Sequence, residues 1–139
     1  MSVDDYLKDR LEDQLNWHDR KSAWNQKRYK THRIVIILSS VLIPFLSGLI
    51  TPYDWMSYVV GFLGVIIAAT EGRLQVFKYL ENWTKYRGTA ESLRREKYFF
   101  QTNTGPYAQE ENNLAILVER TEKILENEQE SWYKRITDE

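Results

Sequence analysis

Two uncharged apolar runs, Ile34–Ile50 and Met56–Thr70, stand in the middle of a chain whose other stretches are charged and helically patterned. Before the first run, Leu7, Leu11 and Leu15 recur every fourth residue, the spacing of one helix face, with Trp17 and Trp24 on a neighbouring stripe. Neither Pro nor Gly lies between Asp4 and Pro44. A single helix is therefore predicted from about Asp4 into the first run, capped by Ser2 or Asp4. Pro44 predicts a kink or a local 3₁₀ or π adjustment. Thr51–Trp55 reads as a tight turn by its Thr, Pro and Asp content. A helix is expected again from Glu71 to about Gln101. On it Val76, Tyr79, Trp83, Tyr86, Ala90, Leu93, Lys97 and Phe100 alternate three- and four-residue steps, a coiled-coil-like seam. Gly105-Pro106 breaks it within Thr102–Tyr107. A last amphipathic helix, about Ala108–Lys134, carries Leu114, Leu117, Val118, Thr121, Ile124 and Leu125 on its apolar face, with Trp132 extending it.

Charge sharpens this pattern. Met1–Arg33 carries eight Lys/Arg and six Asp/Glu, and Ile34–Thr70 carries Asp54 alone. A 17-residue run rises about 25 Å, at the short end for a bilayer crossing. A soluble domain of 139 residues rarely surrounds two adjacent helices on every face. Lys27, Arg28, Lys30 and Arg33 precede the first run, Arg73 and Lys78 follow the second, and the joint has no Lys or Arg. By the positive-inside rule both termini are cytoplasmic and the joint faces outward. Tyr53, Trp55 and Tyr58 at the outer end, and Tyr29, Phe77 and Tyr79 near the inner end, fit interfacial belts. The expected fold class is all-α: a multi-pass integral membrane protein with a two-helix transmembrane hairpin and long cytoplasmic helices forming a bundle. It is read as a single domain: residues 1–33 a cytoplasmic helix, 34–70 the hairpin with its turn at 51–55, and 71–139 two cytoplasmic helices with a turn at 102–107.

The net charge of −1, from 19 basic and 20 acidic residues, supplies no field for nucleic acid. With no cysteine, disulfides, thiolate nucleophiles and cysteine metal sites are excluded. His18 and His32 are fourteen apart without a second ligand at metal spacing, and read as surface or packed side chains. No glycine-rich phosphate loop or nucleophile elbow is present. The expectation is a protein that is not an enzyme, with no cofactor and no metal.

The hairpin holds the candidate site residues. Ser57, Gly61, Gly64 and Ala68 share one face of the second membrane helix, in line with Glu71 and Gly72; Ser40, Pro44, Ser47 and Thr51 show the same spacing on the first. Small residues allow close helix approach in lipid. The stripes are packing surfaces within a hairpin or oligomer, or one of them lines a water-filled path. Two helices cannot enclose a pore, so a path requires several copies around an axis. Glu71, at the cytoplasmic end, is an interfacial carboxylate paired with Arg73 or Lys78 or simply solvated, or a member of a carboxylate ring favouring cations. Trp83, Arg87 and Glu91 stack on successive turns, an arrangement for a Trp83–Arg87 cation–π contact and an Arg87–Glu91 ion pair; with Tyr86 they read as structural.

Glu81-Asn82-Trp83, Tyr86-Arg87-Gly88-Thr89-Ala90-Glu91-Ser92-Leu93, Glu96, Tyr98 and Gly105-Pro106-Tyr107 resemble the helical part of the SLATT family, the SMODS and SLOG-associating two-transmembrane effectors. The resemblance runs over nearly the whole chain. It implies a bacterial conflict-system effector in the inner membrane that forms pores or disturbs the bilayer. A separate nucleotide-signalling protein would activate it, since the chain carries no sensor of its own. The expected function is a homo-oligomeric membrane pore or ion channel, cation-preferring if Glu71 lines the mouth. The alternative is a non-conducting membrane-anchored scaffold whose cytoplasmic bundle docks a partner. Its partners are then the lipid bilayer, further copies of itself, and ions.

Overall fold

The helical periods become α1 (Val3–Tyr6), a π-helical stretch (Leu7–Glu12), α2 (Asp13–Ser47), α3 (Met56–Phe77), α4 (Tyr79–Thr102), a 3₁₀ turn (Gly105–Tyr107) and α5 (Asn113–Thr137) in a computed structural model describing residues 2–108 and 111–138. The chain is all-helical, at 88% helix with no strand among the described residues. Ser2 caps the first turn in a capping box: its hydroxyl accepts the Asp5 N–H, and the Asp5 carboxylate accepts the Ser2 N–H, both at 3.2 Å. Leu7, Leu11 and Leu15, four apart, would drift about 40° per step around an α-helix. The wider π turns over Leu7–Glu12 take up that drift. The π adjustment thus falls at the N-terminal stretch and not at Pro44, which sits inside α2 with α-helical residues on both sides.

Two compact units result. The first comprises Met1–Ser22 and Thr84–Glu139. Its core is one cluster, Tyr6, Leu11, Leu15, Ala90, Leu93, Tyr107 and Leu117, flanked by Phe99, Phe100, Leu114, Val118, Ile124 and Leu125. Each fully buried leucine contributes on the order of 1.5–3 kcal/mol. The apolar positions expected on the last helix all turn toward this core, with Leu117 and Thr121 fully buried. The α4–α5 connection begins where Asn103 turns left-handed at φ 51° and Gly105 follows at φ 60°, packed on the Phe99 ring. Asn112 caps α5 by accepting the Ala115 N–H, so that helix starts at Asn113 and not near Ala108.

The second unit is Ala23–Trp83. Here α2 ends at Ser47, so Gly48, Leu49 and Ile50 belong to the turn and not to the first helix. In the most apolar 18-residue stretch of the helical segments holding the two runs, 6% and 0% of residues are buried. Ile34, Ile37, Leu38, Val41, Phe45, Phe62 and Val65 are each more than half exposed, whereas Ser39 is 6% exposed. A buried soluble helix shows the opposite order. Two helices here are long and apolar enough to cross a membrane.

The helix expected from Glu71 to about Gln101 is interrupted. Lys78 adopts a left-handed conformation, φ 50°, and ends α3. The backbone groups released there are recaptured. The Lys78 N–H donates to the Leu74 carbonyl at 3.0 Å, and the Asn82 side chain donates to the Phe77 carbonyl at 3.2 Å. The break resets the phase of the seam. Val76, before it, is 75% exposed, whereas Tyr79, Ala90 and Leu93, after it, are buried.

Candidate functional site

Within the second unit the α2 and α3 side chains converge at the charged end of the hairpin. Arg33 on α2 and Glu71 on α3 face each other with Nη1 and Oε2 3.7 Å apart, a pairing beyond hydrogen-bond reach. Glu71 therefore pairs with Arg33 and not with Arg73 or Lys78, its expected partners. Around them is a cavity of about 360 Å³ lined also by Tyr29, Leu74, Gln75, Lys78, Leu80 and Glu81. The left-handed Lys78 shapes this cavity, because it ends α3 beside Leu74 and starts α4 with Tyr79 turned inward. Tyr79 is 4% exposed and touches three rings: Trp24 at 5.9 Å, His32 at 5.2 Å and Phe77 at 5.7 Å. It is a packing residue and not a member of an exposed inner belt, whereas Phe77, Tyr53, Trp55 and Tyr58 are exposed.

The small-residue stripe of α3 packs on nothing within the unit. Gly61, Gly64 and Ala68 are exposed, and a Cβ added at either glycine meets no atom within 4 Å. On α2, Ser40, Pro44 and Ser47 are exposed, and Thr51 lies in the exposed turn. The hydroxyls of Ser40 and Ser47 donate back into their own helix, to the Ile36 and Ile43 carbonyls at 2.7 Å, and so carry no unsatisfied donor into their surroundings.

The helical motif residues do different jobs from those their spacing suggests. Glu91 pairs with Arg94 at 2.6 Å, while Arg87 is exposed and makes no ion pair among the described residues. Trp83 faces the Tyr29 ring at 6.2 Å. Tyr86 is half-buried against Trp17, His18 and Trp132. Lys85 stands 4.1 Å from the Trp132 ring centroid, and burial, then Arg135, holds its amine down at about 8.

In the first unit Glu96, one of the motif residues, and His18, read as a surface or packed side chain, are both buried, and the sequence named the ionic partner of neither. Glu96, 5% exposed, accepts the Tyr107 hydroxyl at 2.6 Å and a forked Arg120 guanidinium, with Nη2 at 2.8 Å. Burial opposes its charge, but the Arg120 and Tyr107 hydrogen bonds prevail and hold its carboxyl below the usual range; burial, then Glu96, pushes the Tyr107 phenol up. The Gly105-Pro106-Tyr107 turn thus delivers the phenol that locks α4 to α5. His18, 2% exposed, places Nδ1 against the Gln14 carbonyl at 2.7 Å and Nε2 against Glu128 at 2.5 Å. Burial lowers its basicity, but both nitrogens face acceptors, and the net effect raises it. A signal for His18 was present: His18, Asn25, His32 and Ser39 lie seven apart on α2, in register with Leu11 of the preceding π-helical stretch, and all five are buried. A search keyed to apolar residues passes over that register. No group of three or more His, Asp or Glu that could hold a metal occurs among the described residues.

The fold and these sites define an all-helical protein with two helices apolar and long enough to cross a membrane, tied to a charged helical unit. The chain belongs to the DUF4231 family, described as a protein of unknown function, which matches residues 13–115. That span takes in α2, the hairpin, α4 and the start of α5. No curated protein and no solved structure matches the chain.

Proposed function

We propose that the chain is a membrane-embedded hairpin that assembles with copies of itself around a path for ions. The observation that carries this reading is the inverted surface of residues 34–70: apolar side chains point outward, while the small-residue face of α3 is uncovered. Lipid accounts for the first feature. A second copy accounts for the other, because Gly61, Gly64 and Ala68 permit close backbone approach where hydrophobicity gives no drive to associate. In this arrangement Ser40, Pro44 and Ser47 of the first helix and Thr51 of the turn face the path, and Glu71 sits at its inner mouth. The helical part of the first apolar run, Ile34–Ser47, rises only about 21 Å. A span this short thins the bilayer or draws on Arg33 snorkelling to the interface. Both termini lie on the cytoplasmic side of a bacterial inner membrane, with the helical unit as assembly and gating domain. The SLATT-like motif order supports a conflict effector responding to a separate nucleotide-signalling protein.

A second reading, a non-conducting anchor whose helical unit docks a partner, draws on the Arg33–Glu71 pair, which offsets the charge that a cation-selective mouth needs. Ion flux from purified protein in liposomes separates the two. The channel reading expects cation-preferring flux that loses its preference in Glu71→Gln. Flux with unchanged selectivity in that variant removes Glu71 from the mouth. Impermeability of a well-assembled protein to every ion tested, under activating conditions, leaves the anchor.

A further inference from the structure

Resting on the membrane reading, we propose that the cavity at the Arg33–Glu71 end of the hairpin binds the headgroup of an amine-bearing phospholipid, with Arg33 taking the phosphate and Glu71 the ammonium. The cavity holds about 360 Å³, at the size of a small-ligand pocket. Its lining offers two cations, Arg33 and Lys78, and two carboxylates, Glu71 and Glu81. A charge-balanced lining does not select a simple anion. It does match a zwitterion, whose phosphate and ammonium are fixed a short distance apart.

The Arg33–Glu71 geometry leaves room for such a guest. At 3.7 Å the two groups attract but do not hydrogen-bond, and each side chain is 44% exposed. The guanidinium fork can present two parallel N–H donors to a phosphate. The carboxylate, as acceptor only, selects a primary ammonium with N–H donors over a quaternary one without them. The source of the headgroup is a lipid and not a soluble phosphate ester, because the closely spaced run of exposed aliphatic residues Ile34, Ile37, Leu38 and Val41 begins at the residue after Arg33. An acyl chain leaving the cavity would run along Ile34, Ile37 and Leu38, all more than half exposed.

The test is the affinity of detergent-purified protein for phosphatidylethanolamine and phosphatidylcholine of identical acyl chains, read by native mass spectrometry. The wild type is expected to hold the ethanolamine lipid about tenfold more tightly, the worth of one charge-assisted hydrogen bond. Glu71→Gln should abolish that preference by lowering the affinity for the ethanolamine lipid to that for the choline lipid, and Arg33→Gln should weaken both alike. Soluble phosphoethanolamine should compete poorly. Equal wild-type affinities overturn the proposal without needing any variant. So does a preference that survives in a Glu71→Gln protein of wild-type helicity, or equal competition by the soluble ester. Flotation with phosphatidylcholine vesicles separates this failure from that of the membrane reading. A chain that floats but shows no headgroup preference loses only the lipid site, and one that does not float loses both.

Discussion

The two units use the same helical period in opposite senses. In Met1–Ser22 with Thr84–Glu139, leucines and Tyr107 turn inward and charges form the rim, joined by pairs such as Asp19–Arg94 and Glu12–Lys97, each at 2.8 Å. In Ala23–Trp83, Asn25, His32 and Ser39 turn inward while Ile37, Val41, Phe45 and Phe62 turn out. The first arrangement suits water and the second a non-polar surrounding. The contrast teaches that helical periodicity identifies a face but does not by itself say which face is turned inward.

The largest expected effect breaks the water-type unit at its buried carboxylate. Glu96→Ala leaves the buried Tyr107 hydroxyl without its acceptor and releases the half-exposed Arg120 guanidinium to solvent, and should lower unfolding free energy by about 3 kcal/mol in chemical denaturation. Because Glu96 is held below its ordinary 4.5 when folded, its contribution is complete above that value and lost as pH falls through the lower folded one. The variant should therefore also lose part of the acid-side slope. A loss under 1 kcal/mol would mean that the network adds little to folding.

Next comes a paired comparison of core and exposed positions. Leu93→Ala should cost about 2–5 kcal/mol and Phe45→Ala about 0.5 kcal/mol or less in detergent. Phe45 is 69% exposed, so a core-sized loss there would show that another copy covers it.

A smaller effect concerns His18. Its folded pKa is raised above 6.5, so its contribution is complete below that value and lost as pH rises through the folded one. Stability should decline from pH 6.5 upward. Glu128→Gln should flatten that decline and remove about 1–3 kcal/mol below it, followed by thermal melts across the range. An unchanged pH slope would dissociate His18 from Glu128.

The smallest effect lies at the α3–α4 break. Lys78→Gly relieves a left-handed non-glycine residue and should stabilise by about 1 kcal/mol in the same melts. A destabilisation would show that the lysine side chain outweighs its backbone strain.

Much of this fold was legible in the sequence because its signals are local. The uncharged runs, the Leu7–Leu11–Leu15 face, the Ser2 cap and the Gly105-Pro106 break each depend on residues a few positions apart. The α4 seam was legible from Tyr79 onward and failed at Val76, since nothing in Phe77-Lys78-Tyr79 announces a left-handed residue. The Arg87–Glu91 pair failed for another reason: a favourable spacing offers a partner, but Arg94 lies closer to Glu91 in space.

By itself the sequence determined an all-helical chain, the placement of two apolar runs between charged arms, and the residues bounding most turns, because period, capping and charge act within a few turns of helix. Only the tertiary structure decided that His18 meets Glu128 across 110 positions, that Glu96, Tyr107 and Arg120 form one network, and that Glu71 answers to Arg33. These are encounters between polar groups distant in the chain. They arise when packing removes the groups from water and each must find whichever partner the neighbouring helix presents.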